Sequence, residues 1–192
     1  EKARYEAEHD GMTGLLNKKA GWKHMRKYFD RMDSHDEAML MFVDIDDFKI
    51  INDTYGHTVG DFWIHEVASQ LRHIYRQDDI ICRYGGDEFI VLIRNTASEQ
   101  VLETTLGMFF QQLTRASEQR GQDVHCSVGV CRVAAIRISG NRDTSRNTDG
   151  ENGEDTRGGV DFGQCVKQAD LALYETKRFN KGTFNVYNYD RS

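Results

Sequence analysis

The run Ala38-Met39-Leu40-Met41-Phe42-Val43 constrains this chain most, being unbroken apolar, too short for an ordinary helix, and followed at once by Asp44-Ile45-Asp46-Asp47. A short segment apolar on both faces belongs in the middle of a sheet, so it predicts a central strand with carboxylates gathered at its C-terminal end. Trp22, Met25, Tyr28, Phe29 and Met32 recur at helical spacing and predict a core-packed helix over 20–32. Phe62, Ile64, Val67, Ala68, Leu71 and Ile74 predict another over 60–75, and Val101, Leu102, Leu106, Phe109, Phe110 and Leu113 a long one over 98–120. Ile80–Cys82 and Phe89–Ile93 read as strands joined through Gly85-Gly86, with a further strand over 124–134. The order β-α-β-β-α-β is that of the ferredoxin-like split βαβ arrangement, an α+β fold whose central antiparallel sheet is flanked by helices, here expected on one face. In that order the first and third strands are antiparallel neighbours, so Asp44 should meet Asp87.

At 192 residues the chain is long enough for one sizeable domain. Lys and Arg number 25 against 31 Asp and Glu, a net charge of −6, which disfavours a nucleic-acid polymer as partner and favours a small molecule. Cys82, Cys126, Cys131 and Cys165 show no CxxC spacing and lie largely in apolar runs, predicting buried free thiols in a reducing, cytoplasmic compartment rather than disulfides or zinc ligands. No signal or membrane-spanning stretch is visible, so no membrane contact is expected of this domain. Residues 1–9, charged and Ala-containing, are expected to be the end of a connector helix, and the opening at Glu1 rather than Met suggests an upstream region, which could itself carry a membrane anchor. The domain proper then covers 10–190. Within it, Ser139–Gly159 contains no apolar side chain and predicts a mobile insertion. Helical spacing resumes over 162–178, and 183–189 alternates like a closing strand.

The stretch Arg83-Tyr84-Gly85-Gly86-Asp87-Glu88-Phe89 places two adjacent carboxylates where a strand pair reverses. Its glycines suit a tight turn with positive φ, and a bare backbone there lets a phosphate approach closely. An isolated Gly-Gly-Asp-Glu equally describes a solvated surface turn. The acidic end of the central strand, expected beside it, favours the functional reading. Carboxylates with a nearby backbone carbonyl form a hard-ligand site suited to Mg²⁺ or Mn²⁺. Such an ion beside a glycine turn suits a triphosphate, activating a hydroxyl for in-line attack on phosphorus with pyrophosphate leaving. No GxxxxGK[ST] loop and no Ser/His/Asp or Cys/His arrangement of interpretable spacing is present. The chemistry indicated is metal-assisted nucleotidyl transfer.

Five stretches in order carry a family resemblance. They are His9–Asn17; Asp44-Ile45-Asp46-Asp47-Phe48-Lys49-Ile50-Ile51-Asn52-Asp53 through His57; Gly60-Asp61; Gly85-Gly86-Asp87-Glu88-Phe89; and Ala169-Asp170-Leu171-Ala172-Leu173-Tyr174 with Lys177. Through them the chain resembles the GGDEF-domain diguanylate cyclases, a nucleotidyl cyclase-type fold, from about Glu8 to Tyr187. The resemblance implies condensation of two GTP molecules into cyclic di-GMP with release of two pyrophosphates, at the interface of a homodimer in which each subunit holds one GTP. It implies two Mg²⁺ or Mn²⁺ ions per half-site, held by Asp44, the Ile45 carbonyl, Asp87 and Glu88. Asp44, Asp87 and Glu88 form the catalytic set, with Glu88 assisting the metal or the attacking 3′-hydroxyl.

By the same resemblance, Asn52 and Asp61 read guanine, whose N1 and N2 hydrogens a carboxylate can accept. Phosphates fall to Lys49, Lys177 and Lys181, to the turn at Gly85 and Gly86, and to backbone amides of Phe48 and Asp47. Standing alone, Asn52-Asp53 would be a turn or cap, Asp61 a first-turn acid and Lys177 a solvated charge at a helix end. Arg76 and Asp79 form the RxxD of an inhibitory product site, five residues upstream of Gly85 by its Asp79-to-Gly85 interval, where arginine's fork suits guanine O6 and N7. Lys18 and Lys181 stand where the family often has arginine, and the insertion is longer than usual. The competing expectation is a catalytically silent receptor for cyclic di-GMP or GTP, which would have no need of the complete set Asp44, Asp87, Glu88, Asn52 and Asp61.

Overall fold

In a computed structural model, which describes residues 2–135 and 159–191, the chain runs α1 (Lys2–Glu8), β1 (Leu16–Asn17), α2 (Lys18–Phe29), β2 (Ala38–Ile45), α3 (Phe48–Tyr55) and α4 (His57–Ile74). It continues through β3 (Ile80–Arg83), β4 (Glu88–Arg94), α5 (Glu99–Arg120), β5 (Cys126–Val133), α6 (Phe162–Phe179) and β6 (Phe184–Asn188). Nearly all of the expected insertion, 139–158, lies outside the described residues.

The strands form one sheet in the order β1-β3-β4-β2-β5-β6. Its inner four are antiparallel and reproduce the expected order, whereas β1 and β6 add to the edges in parallel. All of β2 is buried, as its apolar run requires. Met39, Met41 and Val43 pack on one side with Val67 and Leu71 of α4 and Leu106 and Phe109 of α5. Leu40 and Phe42 pack on the other with Met25 and Phe29 of α2 and Cys165, Ala169 and Leu173 of α6. Helices therefore cover both faces, which corrects the one-face expectation. A strand apolar on both sides needs a cover on each, since exposing one such side chain costs about 1.5–3 kcal/mol.

Local signals set the helix ends. Asn17 accepts from Ala20 N at 3.0 Å, Ser98 Oγ from Val101 N at 3.3 Å and Asp161 from Gln164 N at 3.1 Å, the side-chain caps of α2, α5 and α6. Gly121 closes α5 at φ 60°. The sequence pattern does not mark α3, where Asn52-Asp53 standing alone reads as a turn or cap. All four cysteines are buried and free, as anticipated. Among the described residues no helix is long and apolar enough to cross a membrane.

Candidate active site

The acidic junction forms where β2 lies between β4 and β5. Asp44 pairs in register with Glu88 on one side and Ser127 on the other, and Ile45 N donates to Asp87 O at 3.3 Å. Asp44 thus meets both acids of the turn, with Glu88 as its direct cross-strand partner. Lys177 completes the cluster, its Nζ lying 2.5 Å from Asp44 Oδ1. It reaches the strand ends because α6 lies almost on the backbone of β5. A Cβ at Gly129 would fall 2.1 Å from Leu173 N and 2.2 Å from Ala169 O, and Thr176 Oγ1 donates to Val128 O at 3.1 Å.

Burial pushes the Asp44 carboxyl up to about 6; the Lys177 ammonium opposes that rise, while the charges of Asp87 and Glu88 add to it. Burial also raises Asp87, against its own backbone N–H and the charges of Lys177 and Arg83. A nearby cation would stabilise the ionised form of both acids. Asp44, Asp87, Glu88 and the Ile45 carbonyl supply hard oxygen ligands, but among the described residues no three Asp, Glu, His or Cys side chains form a ready-made cage.

The turn is clamped from outside. Arg83 Nε donates to the carbonyls of Gly85 and Gly86 at 3.2 and 3.1 Å, Nη2 to Gly86 O at 2.7 Å, and Nη1 to Asp10 Oδ1 at 3.1 Å. Asp10 in turn accepts from Thr13 N at 2.9 Å and Thr13 Oγ1 at 2.8 Å. Burial would raise the Asp10 carboxyl, but these donors and the guanidinium hold it below its ordinary value. Neither Asp10 nor Arg83 was given a role from sequence, although both sit inside the motifs. Lys18 Nζ stands 4.0 Å from the centre of the Tyr84 ring, so the lysine at this position makes a cation–π contact beside the turn.

Gly85 and Gly86 do not adopt positive φ, which corrects the conformational reason expected for them. The four-residue connection from Tyr84 to Asp87 reverses the chain without it. A Cβ on Gly85 would lie 2.6 Å from Glu88 Oε2, so a larger residue there would require the Glu88 side chain to move. Gly86 is exposed and would admit a Cβ without contact, leaving its backbone approachable.

Asn52 and Asp61 come to one corner, where α3 meets α4 at Gly56. A Cβ on Gly60 would lie 1.9 Å from Asn52 Oδ1 and 3.1 Å from Phe48 Cζ, so the amide and the ring both fold over this glycine. Asn52 Oδ1 is buried with no hydrogen-bond partner among the described residues, while the next residue after Gly60, Asp61, is exposed. An acceptor left unpaired in this way is suited to an incoming N–H donor.

The lysines separate. Lys177 sits on Asp44, Lys49 is exposed on α3, and Lys181 donates to Asp47 at 2.8 and 2.9 Å. That hydrogen bond to Asp47 raises the Lys181 pKa. Arg76 and Asp79 lie apart from all of these. Ile80 pairs with Leu92 and Arg83 with Phe89, so the RxxD turn occupies the opposite end of the β3–β4 hairpin from Gly85. Asp79 Oδ2 accepts from Arg76 N at 2.9 Å and Oδ1 from Arg94 N at 3.0 Å, a fold-building role alongside any ligand role.

Comparison with known proteins bears on the family. The family described as "Diguanylate cyclase, GGDEF domain" matches residues 7–146. "Probable diguanylate cyclase DgcC" of Escherichia coli K12 is 33% identical over 179 residues, covering 92% of this chain and 42% of that protein, so the chain spans less than half of this relative. Diguanylate cyclase SiaD of Pseudomonas aeruginosa, solved with its activator SiaC, superposes with a TM-score of 0.73 at 26% identity, covering 98% of this chain and 64% of the other. The coiled-coil and GGDEF domain of DgcB from Caulobacter crescentus, solved with c-di-GMP, gives a TM-score of 0.69 at 25% identity over 97% of this chain and 88% of the other. By its motifs, its sheet order and these matches, the chain belongs to the GGDEF-domain family.

Proposed function

We propose that this domain is a diguanylate cyclase that joins two GTP molecules into cyclic di-GMP, releasing two pyrophosphates, at the interface of two copies. The observation that carries the proposal is the meeting of Asp44, Asp87, Glu88 and Lys177 at the strand ends beside Gly85-Gly86. Asp44, Asp87, Glu88 and the Ile45 carbonyl would hold one or two divalent ions, Mg²⁺ or Mn²⁺. A bound ion supplies charge neutralisation at the phosphates and a lower pKa for the attacking hydroxyl. Glu88 orients that 3′-hydroxyl. Asn52 and Asp61 read guanine, the orphaned Asn52 Oδ1 taking a donor and Asp61 accepting from N1 and N2. Lys49, Lys177 and Lys181, with the Phe48 and Asp47 amides, balance the phosphate charge.

Incubating the purified domain with GTP and Mg²⁺, then separating the products by chromatography, tests this reading. Cyclic di-GMP and pyrophosphate are expected from the wild type, and neither from Asp87→Asn. Failure to form cyclic di-GMP at high protein concentration, or in a forcibly dimerised fusion, would exclude the enzyme and leave a nucleotide receptor. Arg76 and Asp79 are proposed to bind product as a feedback site. Arg76→Ala, which keeps the backbone donor to Asp79, should retain turnover and weaken product inhibition at least about tenfold, the cost of a charged hydrogen bond. An unchanged inhibition constant would remove that assignment.

A further inference from the structure

The carboxylates of Asp44-Ile45-Asp46-Asp47 take three directions. Asp44 turns to Lys177 and Asp47 to Lys181 at the surface. Asp46 is 6% exposed, as buried as Asp44, and both its oxygens lie within reach of Ser127 Oγ, at 2.8 and 2.9 Å. Gly182 N donates to Asp46 Oδ2 at 3.1 Å and lies 3.3 Å from Ser127 Oγ. Asp46 N itself donates to His125 O at 2.9 Å. One buried carboxylate and one wholly buried hydroxyl thus join the end of β2, the start of β5 and the turn between α6 and β6.

That turn carries Lys181 directly before Gly182, whose φ of 77° suits glycine. Ser127 is also the register partner of Asp44, and Ile45 precedes Asp46 in the chain. The bracket therefore lies between the groups proposed to meet metal and the lysine proposed to meet phosphate. Its oxygens already receive O–H and N–H donors, which sets Asp46 apart from the metal-facing Asp44.

We infer that Asp46 and Ser127 are positioning residues for the triphosphate, holding the Lys181-Gly182 turn in register with the Asp44-Ile45 strand end. The inference rests on the GTP reading above. Lys181 can then exchange Asp47 for a phosphate by moving its side chain alone, over a backbone already tied down.

The test uses the whole domain, with Ser127→Ala, Asp46→Asn, Lys181→Ala and the double variant Ser127→Ala/Lys181→Ala. Amide exchange at Gly182 without nucleotide reads the bracket itself, and calorimetry with GMP and with a non-hydrolysable GTP analogue reads its consequence. Ser127→Ala should speed Gly182 exchange and weaken the analogue about tenfold, as loss of a buried hydrogen bond does, while GMP binds as before. The double variant should bind no more weakly than Lys181→Ala, and Ser127→Thr, which keeps the hydroxyl, should restore affinity. If Ser127→Ala does not fold, Asp46→Asn carries the same expectations.

Unchanged Gly182 exchange, equal weakening of GMP and analogue, or additive losses in the double variant would overturn the inference. A wild type that binds neither nucleotide would overturn the GTP reading and this inference with it. Faster Gly182 exchange with undiminished analogue affinity would overturn only the inference.

Discussion

Gly60 shows how a residue without a side chain can define a site. The space that a Cβ would fill is taken by Asn52 Oδ1, only 1.9 Å from it. Gly60→Ala should displace the amide and lower affinity for a GTP analogue about tenfold or more, the worth of a well-made hydrogen bond, and calorimetry on the folded variant checks it. Asp10 works through Arg83 on the turn at Gly85-Gly86. Its folded pKa lies below the 3.8 of an unperturbed aspartate, so its contribution is fully present above 3.8 and is lost as pH falls through the lower folded value. Asp10→Asn should cost about 1–2 kcal/mol at pH 7, with the gap to wild type closing as the solution is taken below the ordinary aspartate range. Urea unfolding at neutral and acid pH would reveal it. The roles of Asp44, Asp87 and Glu88 were suggested by sequence because each sits beside a recognisable strand. Those of Asp10 and Arg83 were not, because their bonding partners are set by a turn whose path the sequence leaves open.

At the scale of elements, the placement of α6 on β5 matters most to the site. Gly129 allows that approach, since a Cβ would meet backbone atoms of Leu173 and Ala169 that cannot swing aside. Gly129→Ala should destabilise the domain by about 1–3 kcal/mol and move Lys177 away from Asp44, so activity should fall even below the melting transition. A variant with wild-type Tm and wild-type activity would show that α6 is less tightly seated. The helical spacing of α6 was legible in the sequence, but the strand it would press against was not. The unexpected α3 has a related cause. Of its residues only Ile51 is buried, so its helical stripe is short, and packing against α4 supports what local pattern barely marks.

For the whole molecule, each copy presents one set of Asp44, Asp87 and Glu88, whereas the proposed reaction joins two nucleotides. Specific activity should therefore rise with protein concentration until the copies are paired, as initial rates over a dilution series would show. Constant specific activity throughout the series would mean that assembly does not limit turnover. The net charge of −6 offers an anionic polymer no general attraction.

The buried central strand, the acids at its end and the strand that should lie beside it were readable from the amino acids alone. Those features follow from short-range periodicity and the neighbour rules of a βαββαβ chain. Packing settled that helices cover both faces, that Asp46 is held by Ser127 and Gly182 while the equally buried Asp44 faces Lys177, and that Lys177 and Lys181 go to different aspartates. These choices join residues as far apart as Asp46 and Gly182 or Asp10 and Arg83, and their partners are selected by packing rather than by local pattern.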